Sequence, residues 1–317
     1  MNQFHILISG SLAYDYIMDF PDSFKNHILP EHIHMLNVSF VVDKLNKNFG
    51  GTAGNIGYTM KLLGGDPIVF AALGKDADTY LDHFKKLEMN TSYIRTSENL
   101  FTSSAYITTD KDDNQITAFY PGAGNESTKL HVSDVTEKPT FAIIGPSAKE
   151  VMIQHAKECY EARIPFCFDP GQQITTLSSQ ELMAIIGQAT FLIGNDYEMK
   201  MIEEKTGWDG RELMNHVEVL ITTLGSKGSV ITTNDDMIEI PAPTAQSVED
   251  PTGAGDAYRA GFFSSYAKGK DLKTCGQTGA VAALYAIEKY GTQNHVFTVA
   301  EFEERYESVF GKIEISE

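Results

Sequence analysis

Short apolar runs recur along the chain: Ile6 to Ile8, Ile68 to Ala72, Phe141 to Ile144, Phe166 to Phe168, Phe191 to Ile193 and Val219 to Ile221. Each is almost unbroken, as expected of a strand buried on both faces of a parallel sheet. Each stops at a small or polar residue: Gly10, Gly74, Gly145, Asp169, Asn195 and the stretch Thr222 to Gly225. Helical patterns such as Val151 to Ala162 and Leu182 to Ala189 follow, so the chain has the grammar of repeated βα units. In an open α/β sheet ligands bind beyond the carboxyl ends of the strands, which predicts that Asp169, Asn195 and Thr223 to Gly228 converge on one crevice. Two stretches break the alternation, Ser11 to Phe49 and Phe101 to Tyr120. The second reads as a hairpin, with Ala105–Thr108 and Gln115–Phe119 around the polar turn Asp110 to Asn114. The first contains the β-like segment Asn37 to Val42. Together they predict a small sheet lying over the crevice as a lid that excludes water. No internal repeat or low-complexity linker divides the chain.

The strongest local pattern is Asp250-Pro251-Thr252-Gly253-Ala254-Gly255-Asp256, running into the helical stretch that begins Ala257-Tyr258-Arg259-Ala260-Gly261. The first N–H groups of a helix have no internal partner, and two glycines let a ligand come close to them. Asp256 alone fits a helix-capping role. Two glycines are a poor choice for a mere cap, and the combination also suits an anion cradle in which Asp256 takes a proton from an attacking hydroxyl. Gly50-Gly51-Thr52-Ala53-Gly54-Asn55 opens a second helical run, with Ile56, Met60 and Leu63 on one face. Its plain reading is a strand-to-helix turn. Asn55, a poor helix former, suggests a hydrogen-bonding duty as well. Asp15, a few residues past the first strand, is either a solvated loop residue or an acceptor for two vicinal hydroxyls. No G-x-x-x-x-G-K-[ST] and no G-x-G-x-x-G follows a strand, which argues against a Walker-type ATPase and a dinucleotide oxidoreductase.

Composition changes this picture in two ways. The 317 residues are 42% hydrophobic and carry 43 acidic against 25 basic side chains, a formal charge of -18. Such a balance disfavours nucleic acid and anionic membranes as partners. An anionic substrate must then be held by backbone donors or a metal rather than by the global field. Cys159, Cys167 and Cys275 are odd in number and sit among apolar neighbours, so they read as buried hydrophobes in a reducing compartment. The first ten residues suit a strand better than a signal peptide, no run reaches membrane-spanning length, and a cytoplasmic location is expected. His32 and His34 lack a third ligand, so no metal site is expected there.

Four motifs in order, Gly50-Gly51 with its helix, Asn195-Asp196-Tyr197-Glu198, Thr223-Leu224-Gly225-Ser226-Lys227-Gly228 and Asp250 to Asp256, resemble those of the ribokinase-like superfamily of sugar and nucleoside kinases. Gly51–Ile56, Asp112–Phe119 and Asp256–Gly261 are most similar to bacterial adenosine kinases and archaeal nucleoside kinases. The resemblance spans nearly the whole chain and implies an α/β, ribokinase-like three-layer sandwich with a mostly parallel sheet. The expected organisation is one kinase domain over 1–317, with a lid from roughly 13–49 and 101–120. It further implies ATP- and Mg2+-dependent phosphorylation of the 5′-hydroxyl of a ribonucleoside, adenosine foremost. Asp256 matches the family's base, and Gly253, Ala254 and Gly255 its anion hole. Asp15, Gly51 and Asn55 match ribose contacts, Asn195 and Glu198 the magnesium and phosphate network, and Thr223, Gly225 and Gly228 the ATP turn. Asp250 and Thr252 match positions near a monovalent-cation (K+) site in some relatives. Ala13 stands where ribokinases usually have Asn, which puts free ribose in doubt. Arg259 stands where sugar kinases often have Asn, and either contacts phosphate or pairs with a surface acid. Phe40, Phe101, Phe119 and Tyr120 either stack on a base, Phe119 foremost, or form the lid's own small core. A sugar kinase or a catalytically silent ligand-binding relative remains the alternative, as a monomer or homodimer.

Overall fold

The structure, a computed structural model, describes residues 5–28, 37–112 and 114–312. His32, His34 and Asp113 of the readings above lie outside the described residues. In chain order the strands are β1 (Ile6–Ser9), β2 (Ala13–Asp19), β3 (Lys44–Gly50), β4 (Ile68–Leu73), β5 (Ile94–Thr96), β6 (Ser103–Thr109), β7 (Gln115–Tyr120), β8 (Phe141–Ile144), β9 (Phe166–Phe168), β10 (Phe191–Asn195), β11 (Val219–Thr223), β12 (Ser229–Thr232) and β13 (Met237–Ile240). The helices are α1 (Thr52–Leu62), α2 (Asp78–Lys86), α3 (Lys149–Glu161), α4 (Ser179–Ile186), α5 (Asp196–Thr206), α6 (Gly210–Met214), α7 (Ala254–Ala267), α8 (Leu272–Ile287) and α9 (Val299–Phe310).

Among the described residues, nine strands form one sheet in the order β13-β12-β11-β10-β9-β8-β1-β4-β5. The pairs from β5 through to β11 are parallel, and β12 and β13 add an antiparallel margin. Successive residues of a strand face opposite sides, so the apolar runs feed two cores. Ile6, Ile8, Phe141, Ile143, Phe191 and Ile193 pack with Phe262 and Phe263 of α7 on one side. Leu7, Ala142, Ile144, Phe166, Phe168 and Leu192 pack with α3, α4 and α5 on the other. The three cysteines are buried and free, as their apolar setting led one to expect. No described helix is long and apolar enough to cross a membrane.

A second sheet of four strands, β3-β2-β6-β7, is built from the two stretches that interrupt the α/β alternation. The β6–β7 hairpin matches the expected one. The segment Asn37–Val42 does not form the strand expected of it. Its apolar pattern instead seats Phe40, whose ring centroid lies 4.8 Å from Phe20 and 5.0 Å from Phe24. The strand is β3, Lys-Leu-Asn-Lys-Asn-Phe-Gly, whose polar residues conceal it from any search for apolar alternation. β2 was missed for a related reason: it alternates tyrosines with acids rather than aliphatic with polar residues.

Helices α7 and α8 pack at glycines. A Cβ on Gly261 would stand 2.6 Å from the Thr278 carbonyl oxygen and 2.9 Å from Ala282 Cβ, and one on Gly279 would stand 2.8 Å from the Tyr258 carbonyl oxygen. Backbone cannot retreat as a flexible side chain can, so a methyl here forces the helices apart. Gly261→Ala is expected to cost about 1–3 kcal/mol, read from the midpoint of urea unfolding, and an unchanged midpoint would refute this account of the contact.

Candidate active site

The carboxyl ends of the parallel strands and the start of α7 meet in one crevice. Helix α7 begins at Gly253, whose φ of 79° lies in the left-handed region that L side chains rarely adopt. A Cβ there would also stand 2.9 Å from Thr292 Cγ2. The preceding loop is clamped by Asp250, 8% exposed. Its Oδ1 accepts from the Thr252 N–H at 2.9 Å and its Oδ2 from the Gly291 N–H at 3.1 Å. The helix start is thereby tied to the segment after α8. The Ala254 N–H makes a turn bond of 3.3 Å to the Pro251 carbonyl, so it reaches the cradle less freely than a bare helix end would.

Asp256 lies in the first turn of α7 and is half-buried. Asn55 Nδ2 donates to its Oδ2 at 2.7 Å. Burial pushes its carboxyl up to about 6, while Arg259 and the Asn55 hydrogen bond pull the other way. A carboxylate with that balance is a workable proton acceptor near neutral pH. Asn55 is 5% exposed, and its Oδ1 accepts from Gln293 Nε2 at 3.0 Å. Its side chain thus links Asp256 to Gln293.

Asp15 stands on β2, with Asn48 of β3 opposite it on one side and Ala105 of β6 on the other; Phe119 of β7 is opposite Ala105. These four residues form one row across the smaller sheet, on one face, with neighbouring strands about 5 Å apart. Asp15 and Phe119 therefore stand about 10 Å apart, two strand spacings. Burial, then the nearby charge of Asp250, pushes the Asp15 carboxyl up to about 6. Its Oδ2 lies against Gly50, where a Cβ would be 2.2 Å away. Gly51 is the N-cap of α1. Phe119 is 58% exposed and so is not part of a small lid core, the role that Phe40 takes instead. Phe101 and Tyr120 are also exposed.

On the other side of α7, a cleft of about 610 Å³ is lined by Thr223, Gly225 and Gly228 together with Ala254 and Gly255. Its apolar wall comes from Tyr258 of α7 and from Ala280, Leu284 and Ile287 of α8. Those α8 positions carry no sequence signal, because they look like ordinary core residues of an amphipathic helix. The Thr223 to Gly228 turn and the helix start, distant in sequence, thus face one cavity.

Asn195 and Glu198 form a capping box at the start of α5. Asn195 Oδ1 accepts from the Glu198 N–H at 2.8 Å, and Glu198 Oε2 accepts from the Asn195 N–H at 2.9 Å. Burial raises the Glu198 carboxyl above its ordinary value. Arg259 is buried and pairs with Asp169, at the end of β9: Nη2 donates to Oδ1 at 2.8 Å, and Nε lies 2.5 Å from Oδ2. Its Nη1 donates to the Gly255 carbonyl at 2.9 Å. The acid it meets is 1% exposed rather than a surface residue. Among the described residues, no three His, Cys, Asp or Glu side chains cluster as a ready metal site. Gln293 was also overlooked in the sequence, since it sits in a polar stretch after α8 that reads as loop.

The profile of the pfkB family carbohydrate kinases matches residues 20–298. A nucleoside kinase of Methanocaldococcus jannaschii is 36% identical over 300 residues, 94% of this chain and 95% of that protein. A nucleoside kinase of Methanothermobacter thermautotrophicus is 31% identical over 318 residues, 96% of each chain. The solved structure of Burkholderia thailandensis nucleoside kinase in complex with inosine is 40% identical and superposes with a TM-score of 0.89, covering 96% of this chain and 98% of that one. The crevice, the two sheets and these matches agree: the chain belongs to the pfkB family of carbohydrate kinases, phosphotransferases whose acceptor is an alcohol group.

Proposed function

We propose that the protein is an ATP-dependent nucleoside kinase that phosphorylates the 5′-hydroxyl of a ribonucleoside, with adenosine as the preferred acceptor. One observation carries the reading: Asp256 stands at the start of α7, next to the cleft that holds the Thr223 to Gly228 turn and within the electrostatic reach of Asp15. ATP would occupy that cleft, its adenine against the apolar wall and its γ-phosphate at the N–H groups of Gly253 and Gly255. The nucleoside would lie under the smaller sheet, with vicinal ribose hydroxyls donating to Asp15 and the base against Phe119. That sheet would serve as the lid of a single kinase domain. The support for a nucleoside over a free sugar is the Asp15 row itself: an exposed Phe119 two strands from the diol acceptor suits a substrate with an aromatic base. The Burkholderia thailandensis relative in complex with inosine points to purines, and adenosine rests on the motifs that resemble adenosine kinases.

In the transfer step the 5′-oxygen attacks the γ-phosphorus and gives its proton to Asp256. The bond from the γ-phosphorus to the bridging oxygen of ADP breaks as the new P–O bond forms. Positioning and charge stabilisation supply most of the rate, because the transferring group needs little covalent help. Asp15, Asp256, Asp250, Asp169 and Glu198 surround the site with negative charge, so the backbone N–H groups must do most of the chain's share in holding a polyphosphate. Magnesium bound with the nucleotide would neutralise part of that charge. Glu198 suits it as a carboxylate donor acting through water, since the capping box engages only its Oε2 among the described residues. Asp250 and Thr252 act first as the clamp on the loop. Rates in potassium against sodium test whether a monovalent cation adds to that role.

ADP release should be measured with ATP and magnesium across adenosine, inosine, guanosine, cytidine, ribose and fructose. Adenosine should turn over fastest, and turnover of free sugars alone would sink the nucleoside assignment. Asp256→Asn should lower kcat about 10²–10⁴-fold, and a loss of less than tenfold would remove it from the base role.

The kcat/KM profile should also fall on the acid side. Asp256 works as an acceptor only when unprotonated, and both it and Asp15 are raised to about 6. Activity should therefore be flat above about pH 7 and drop at least tenfold per unit well below pH 6. A profile flat down to pH 5 would contradict the assignment. Phe119→Ala should raise KM for the nucleoside about tenfold and leave KM for ATP unchanged; the reverse split would move Phe119 out of the acceptor site.

A further inference from the structure

We propose that Gln293 is a positioning residue for phosphoryl transfer, holding the Asn55 amide in the one orientation that donates to Asp256. The inference rests on the reading of Asp256 as the base. Gln293 is 4% exposed and bridges α1 and α2. Its Nε2 donates to Asn55 Oδ1 at 3.0 Å and to the Tyr80 hydroxyl at 2.8 Å, and its Oε1 lies 3.0 Å from His83 Nε2.

The direction of this chain follows from the chemistry of its end. An ionised carboxylate only accepts, so Asn55 must turn its Nδ2 to Asp256 and its Oδ1 away. That oxygen needs a donor, so Gln293 must present Nε2 to it. Gln293 Oε1 then faces His83, which must carry its proton on Nε2. Tyr80 donates to the Gly50 carbonyl at 2.7 Å, which leaves its oxygen free to accept the second N–H of Gln293. Neither amide can flip without breaking a bond at both ends. Every donor from His83 inward points toward Asp256, and such aligned dipoles favour negative charge at the terminus. The His83 ring is held by stacking on Phe49, with centroids 4.1 Å apart and planes 7° from parallel. Burial lowers its affinity for a proton, which suits the neutral donor this chain requires.

A purely structural Gln293 would stabilise the junction of α1 and α2 and leave the acid limb of the rate profile in place. The groups that face Asp256 are Asn55 from α1, Arg259 on α7, Asp169 at the end of β9, Asp15 on β2 and Tyr80 on α2. Of these Gln293 touches Asn55 and Tyr80, and Asn55 is the one that hydrogen-bonds Asp256 itself. Gln293→Leu removes both donors at nearly equal volume, and it should lower kcat about tenfold with KM for ATP unchanged. Gln293→Glu keeps the shape, but when ionised it can only accept, and it adds a negative charge two hydrogen-bond links from Asp256. Its acid limb should move up by about one pH unit, with kcat recovering at high pH.

Thermal melts of both variants check folding. His83→Phe serves if either fails, because it keeps a ring on Phe49 while removing the outermost donor, and it should move the acid limb the same way by a smaller amount. A folded variant with wild-type kcat and a wild-type acid limb overturns the proposal. Asp256→Asn run alongside separates the two readings. If it retains activity, the base assignment itself fails; if it is inactive while the Gln293 variants behave as wild type, only the role of Gln293 fails.

Discussion

The hydrogen bond from Asn55 to Asp256 is the contact on which the site depends. It joins α1, which follows directly from the smaller sheet, to α7, which borders the cleft lined by Thr223, Gly225 and Gly228. The two helices are held in place by several local features. Gly253 turns the chain sharply into α7, and Asp250 pins the loop before it. Thr292 fastens the same region to β3 through the Phe49 carbonyl. Gly261 and Gly279 let α8 close against α7 from behind. Shifting any of these by an ångström would move a carboxylate whose value lies in its direction.

Electrostatics explains why so much backbone is needed. The crevice gathers several carboxylates around one arginine, and that arginine is already paired with Asp169 in a buried contact. A buried pair of this kind contributes little net stability, since desolvation offsets most of the attraction, but removing one partner would strand the other. Arg259 also holds the Gly255 carbonyl, so the pair fixes the first turn of α7. Its positive charge lowers the proton affinity of Asp256 that burial raises.

Much of this could be read from the sequence because the signals were local. The apolar runs marked the strands of the parallel sheet, their polar stops marked the crevice, and the glycines around Ala254 marked the start of α7. The order of four motifs was enough to carry the family. What stayed hidden depends on tertiary neighbours. β3 is mostly polar, the α8 wall of the cleft looks like ordinary core, and Gln293 looks like loop until Asn55 and His83 come beside it. Asn55 itself was noticed for the right reason, a polar residue in a helix it does not favour, and in the fold it meets Asp256 and Gln293. Asn195 and Glu198, which the sequence marked by their motif, form a capping box in the fold.

Asp15 and Asp256 belong to different layers. Asp15 is carried by the smaller sheet and Asp256 by a helix packed on the large one, and the chain crosses between the layers at Gly10–Leu12 and again at Gly51. The gap between the two carboxylates is thus set by how that small sheet sits, and on the proposed function an acceptor spanning both would fix it where a water molecule would not. Such a division would let the acceptor itself license the reaction and would guard the nucleotide against idle hydrolysis while the site waits.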